Sequence, residues 1–548
     1  MALGKIRAQE LLWVSSLLGI TVFLVHFLHF RQFGFYEDDW WSIAASVGRS
    51  PRGLFGIAKY QFQHWPQGRP LNHFLPLALG RIGWRLGGLR AIYLIAALWL
   101  TLNSLLAYCV SRNVLPPASS LVVAAAYVLY PADTTKILLI HASHVQGSMT
   151  FLFAGLLLWF ADGWYRRASY LVAGLSLLSY ETAYLPFLCA PLLITASRTH
   201  IRRTWLSHLI LCGATLGVVT GVRLRLTESR VADAAGHLGQ SIYRSVTSMF
   251  IGPVTGIAAL VHALFIGYTH VNAGILSGII LFAMLSYVAV KLRNSAAIGQ
   301  EPSNNEMRRQ ALLTARAALF TWPVAYALTL LYYPPTQLTG RTTSTHIAAG
   351  WPFALLAGSL ALLIASYTAQ AVKFARIIAG VLFVGLCSYH AFLQSEYARA
   401  WQIERSFWTQ VVALTPDITR ECSVMVQGSL DPRASKVILA NSWADEEAYW
   451  RILGIDDGRD GPFLAHIERR VLFRKRGGIL QWQPEDWNAP KFVSINTDNL
   501  ILLESHDGVL RRVQALDLPI GTVRSTRPIP SQKGTWPPSA VSGLMQPR

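Results

Sequence analysis

The segment FYEDDWW, Phe35–Trp41, sets three carboxylates side by side directly after an apolar run. Like charges this close repel one another. They tend to raise at least one pKa, which suits a general base or a cation site. Glu37, Asp38 and Asp39 stand out further because acids are scarce: residues 1–395 hold 11 of the chain's 29. The plain alternative is an acidic loop that stays wet.

Other groups capable of chemistry are spread along the chain. QFQHWPQGRPLNHF carries His64, Arg69 and Asn72 beside Trp65. An Arg, a His and a Trp in one loop can grip a phosphate and stack a sugar ring, or anchor the chain at lipid headgroups. Leu129–Gly147 contains Asp133, Lys136, His141 and His144. The two His, three apart, share a helix face and could bind a metal, but two ligands do not make a site, and lining a polar cavity is the simpler role. Glu181, in SYETAYLPF, interrupts an apolar run, and a carboxylate there is functional by default or caps a helix. TGRTTSTH sets Arg341 just before another apolar run, where it pairs with phosphate or snorkels. No GxxxxGKS/T, HExxH or GxGxxG occurs, which argues against an ATP-driven pump, a zincin and a dinucleotide enzyme.

The elements that carry these residues are membrane helices. Of 548 residues, 52% are hydrophobic and 14% charged, against roughly 25% charged in soluble domains. Spans of about 20 apolar residues are expected at Leu11–Phe30, Ala91–Val110, Leu115–Tyr130, Val145–Ala161, Trp205–Val222, Ala273–Val290, Ala317–Tyr333, Ile347–Tyr367 and Ile377–Phe392. Tyr170–Ser197 reads as two short helices meeting at Glu181. Met249–Tyr268, with Gly252, Pro253 and Gly256, reads as interfacial or re-entrant. The total is about eleven spans. Arg166, Arg167, Arg198, Arg202, Arg203, Lys373 and Arg376 in short turns place the N-terminus inside and the residues after 395 outside.

The fold class expected is therefore a multi-pass α-helical membrane domain, 1–395, with a small extracytoplasmic α/β or mostly β domain, 396–523, and a disordered Pro-rich tail, 524–548. Of 48 Lys and Arg, 19 lie in 396–548 beside 18 acids, leaving a net charge of +18 on residues 1–395. Membrane lipids and anionic lipid substrates are natural partners for that charge; nucleic acid is not, since no basic stripe lies on a soluble domain. The five Cys show neither a disulfide framework nor a zinc spacing.

In order and type these motifs resemble the GT-C superfamily of integral-membrane glycosyltransferases, over roughly residues 1–395. FYEDDWW is similar to the acidic motif that comes after the first span in such proteins. GRPL, Gly68–Leu71, is similar to an element of bacterial O-antigen glucosyltransferase-like members. SYETAYLP resembles the S-K-E-T element with Tyr180 in place of Lys. TGRTTSTH resembles the Arg segment before a late span, with Thr342 where an aromatic is usual. The resemblance implies transfer of a sugar from a polyprenyl-phosphate donor to a glycan, lipid or protein acceptor at the outer face, in a bacterial inner membrane. It implies Asp38 as general base, with Glu37 or Asp39 orienting it or holding a divalent ion if one is used. Arg69, Lys136 and Arg341 would neutralise the leaving phosphate, with His64, His141, His144 and Glu181 lining the pocket. A lipid-linked glycan polymerase or ligase, a transporter or flippase, and a non-enzymatic scaffold are the rival readings. A transporter predicts ionisable groups within spans and a pseudo-repeat, and no repeat is visible.

Overall fold

In the computed structural model of the chain, residues 6–47, 50–161, 163–194, 201–270, 273–296, 303–328, 334–367, 369–428, 445–454, 463–467, 471–476, 479–484, 493–518, 520–535, 541 and 545 are described. The protein is a multi-pass helical membrane protein with a small C-terminal strand region. Seven helices among the described residues are long and apolar enough to cross a bilayer.

The helices are α1 (Ala8–Val22), α2 (Pro51–His64), α3 (Pro70–Ser111), α4 (Pro117–Val128), α5 (Gln146–Phe160), α6 (Trp164–Gly174), α7 (Leu185–Leu188), α8 (Ile201–Arg225), α9 (Ser229–Gly236), α10 (Leu238–Thr269), α11 (Ala273–Ala296), α12 (Asn304–Val324), α13 (Gly350–Ala365), α14 (Ala369–Leu414) and α15 (Asp445–Leu453). Several expected spans come out short. Pro116 and Pro117 set the start of α4, which stops after 12 residues. The Tyr170–Ser197 run breaks repeatedly: Tyr180 is extended, 3-10 turns cover Leu175–Leu178 and Glu181–Tyr184, and Pro186 and Pro191 interrupt the helical turns beyond Tyr184. The ends of the Tyr170–Ser197 and Ala317–Tyr333 spans lie outside the described residues.

Met249–Tyr268 is not re-entrant. It is the body of the 32-residue helix α10. Its large residues Ile242, Val246, Phe250, Val254, Val261 and Phe265 are exposed, at the spacing of one helix face. The buried face is small: Ser248, Gly252, Gly256, Ala259, Ala263 and Gly267. Added side chains would meet the Tyr326 ring at Gly252 and the Gly385 backbone at Gly267. The glycines that suggested a broken helix are close-packing positions, as membrane helices use them.

Contacts divide the chain into two compact units. One comprises Met1–Phe30, Phe55–Leu79 and Arg90–Ser395; the other comprises Arg31–Leu54, Gly80–Leu89 and Glu396–Arg548. In the first, Val14, Leu17 and Leu18 of α1 pack with Tyr108, Leu121, Val288 and Leu292. In the second, strands β1 (Ser423–Gln427), β2 (Phe463–Ile467), β6 (Leu500–His506) and β7 (Val509–Val513) form a sheet ordered β2-β1-β6-β7. β1 is parallel to both neighbours, and β7 returns antiparallel. Leu500–Leu503 are all buried, the continuous run of a strand covered on both faces. Asp507 and Gly508, at φ 50° and 78°, make the tight turn that HDG signals. Strands β3 (Val471–Arg476), β4 (Ile479–Pro484) and β5 (Val493–Ile495) form an antiparallel sheet, and β8 (Ala515–Leu518) pairs with β9 (Gly521–Arg524). Within the tail, Gly534 N donates to Ala413 O, and Val541 and Met545 are buried.

Candidate functional site

The acidic segment belongs to the second unit. Tyr36 is extended, Glu37–Asp39 make one 3-10 turn, and Trp40–Ala44 wind on as a wider turn. Asp39 N donates to Tyr36 O at 2.9 Å, and Tyr36 N donates to Asp39 Oδ2 at 3.1 Å. Asp39 is thus tied to the backbone at the start of its own turn. Glu37 sits at φ 46°, a left-handed conformation that costs a non-glycine residue roughly 1–3 kcal/mol and persists where the surroundings impose it. Glu37 and Asp39 are buried, at 4% and 0% exposure, while Asp38 between them is only half-buried. Of three adjacent carboxylates, the middle one is therefore the most accessible.

The first unit holds the cationic residues. The HWPQGRP loop turns through left-handed residues at Trp65, Gln67 and Gly68, φ 44°, 54° and 69°, and delivers Arg69 at the start of α3. Arg69 binds Glu181 in a two-point fork, Nε to Oε2 and Nη2 to Oε1, both at 2.6 Å. The Tyr180 ring lies 4.8 Å from the Arg69 guanidinium. Arg223 pairs with Glu228 at 3.0 Å, and a side chain on Gly68 would overlap the Arg223 guanidinium. Glu228 also caps α9 by accepting from Arg230 N and Val231 N. The partly buried fork at Arg69 and the buried pair at Arg223 thus set two ion pairs of alternating charge near each other.

Several buried polar atoms around these pairs have no hydrogen-bond partner: Asn72 Oδ1, Thr182 Oγ1, Arg223 Nε and His141 Nδ1. Each such atom costs about 1–3 kcal/mol unless water or a ligand satisfies it. The His141 and His144 rings meet edge to face at 5.6 Å, and the His144 ring lies 6.0 Å from that of Tyr180. Among the described residues no group of three His, Cys, Asp or Glu is placed to hold a metal ion.

The remaining sequence candidates lie differently. Lys136 is buried, and its Nζ donates to the carbonyls of Val128 and Tyr130 at 2.9 Å, closing the end of α4. His26 Nε2 bonds the same Val128 carbonyl. His64 is exposed at the end of α2, stacked on Tyr60 at 4.2 Å. Arg341 opens the 3-10 helix Arg341–Ala349 after Gly340, and Thr343 and Thr134 beside it are hydrogen-bonded at 2.8 Å.

No family model, curated protein or solved structure matches this chain.

Sequence reasoning missed Arg223 and Glu228. Glu228 shares the basic stretch 223–244 with one other acid, Asp233, and no motif marks it. Its signal was scarcity: in a region with 11 acids, each buried carboxylate needs a cation, and Glu228-Ser229 is also a helix-start pattern.

Proposed function

We propose that the chain is an inverting glycosyltransferase of GT-C type. It moves a sugar from a polyprenyl-phosphate donor to a glycan, lipid or protein acceptor at the extracytoplasmic face of a bacterial inner membrane. The observation that carries this reading is the acidic turn, which buries Glu37 and Asp39 and leaves Asp38 the accessible carboxylate. The acceptor hydroxyl oxygen attacks C1 of the sugar. Asp38 takes the hydroxyl proton, the C1–O bond to phosphate breaks, and the phosphate leaves with the bonding electrons.

The leaving group gains negative charge as that bond breaks, and fixed cations lower the barrier. The GT-C resemblance assigns that charge to Arg69 and Arg341. Glu181 holds the Arg69 guanidinium in one orientation. The partnerless polar atoms Asn72 Oδ1, Thr182 Oγ1 and His141 Nδ1 suit sugar hydroxyls.

The reading is tested by mass analysis of surface glycans, lipids and proteins from cells with and without the chain. A product differing by one sugar residue is expected. Identical profiles from cells that express the chain would overturn the reading.

A further inference from the structure

The acidic turn is fastened on both sides by one face of α14. Tyr397, Trp401 and Glu404 are spaced four and three residues apart, so they share that face. Before the turn, Gly34 lies so close to Trp401 that an added methyl group would fall inside the indole. Tyr36, fully buried, donates its hydroxyl to Tyr397 O at 2.8 Å and accepts from Gly34 N at 3.3 Å. Its ring lies 5.3 Å from that of Tyr397 and 6.3 Å from that of Trp401. After the turn, the Trp40 indole N–H donates to Glu404 Oε1 at 2.8 Å. The same helix face continues to Trp408, which stacks on Tyr449 of α15 at 6.0 Å and 18°.

We infer that Trp401 and Glu404 are positioning residues for Asp38, and that α14 and the C-terminal region serve to hold the base. Trp401 fixes the backbone at Gly34, and Glu404 fixes Trp40, so the three residues Glu37–Asp39 are pinned at both ends in a conformation the sequence would not adopt alone. The left-handed Glu37 needs such a restraint. The kinetic part of this inference rests on the transferase reading; the geometric part does not.

Two arms on the full-length chain separate those parts. The first uses Asp38→Cys as a reporter. The five native cysteines are buried, so a charged maleimide reads position 38. Adding Trp40→Phe removes the indole donor and keeps a ring; the labelling rate should rise about fivefold, the ratio that loss of one ordinary hydrogen bond implies. Trp401→Ala should raise it as well. Equal labelling rates in the parent and both variants would overturn the inference, whether or not transfer is ever seen.

The second arm keeps Asp38 and follows transfer from a polyprenyl-phosphate sugar. Trp40→Phe and Glu404→Leu should lower kcat about tenfold and leave the donor KM in place. Glu404→Gln keeps an acceptor for Trp40 and should recover most of the rate. An equal loss in Glu404→Gln and Glu404→Leu would contradict positioning through Trp40. If the unaltered chain transfers nothing, the transferase reading falls and the labelling arm decides the positioning on its own.

Discussion

The acidic turn and the arginine pairs handle charge in opposite ways. In the turn, three carboxylates are neighbours in sequence and are held by backbone bonds, a left-handed residue and the aromatic face of α14. In the arginine pairs, opposite charges cancel, Arg69 with Glu181 across 112 positions and Arg223 with Glu228 five positions on. One region concentrates like charge by steric constraint. The other disperses opposite charge by pairing. A group meant to accept a proton gains from like neighbours. A group meant to bind an anion gains from a partner that fixes its direction without screening all of its donors.

The pairs should break hardest when one partner is removed. Glu181→Ala leaves the partly buried Arg69 without its carboxylate and should cost about 3 kcal/mol, the low end for a buried pair, read as thermal stability of the detergent-solubilised chain. The double variant Arg69→Ala/Glu181→Ala should cost less than the two single losses added together, because the buried charge goes with its partner. The turn should break by shape instead. Gly34→Ala pushes a methyl group into the Trp401 indole and should cost about 1–3 kcal/mol by overpacking, with no dependence on salt.

The smallest effect belongs to His64, exposed and stacked only on Tyr60. His64→Ala should change stability by less than about 0.5 kcal/mol.

These regions also differed in how far the sequence disclosed them. The acidic turn was legible because its residues are consecutive and come directly after an apolar run, so local reading is enough. Its clamp was not, since nothing in Tyr397, Trp401 or Glu404 points to a partner some 360 positions earlier. Arg69 and Glu181 were both singled out, yet their fork joins residues 112 apart and obeys no spacing rule. Lys136 looked like a free cation because its partners are backbone carbonyls, which every sequence hides. Helix α10 was misread for a physical reason as well. Gly252 and Gly256 lower helix propensity in water but permit close packing between membrane helices.

The central claim is that Asp38 is the base. The direct measurement compares the purified chain with Asp38→Asn, following transfer from a polyprenyl-phosphate sugar and donor affinity in parallel. The account predicts that kcat falls by about 10²–10⁴-fold, the range of a lost general base, with donor affinity preserved. An Asp38→Asn chain that transfers as fast as its parent would contradict it.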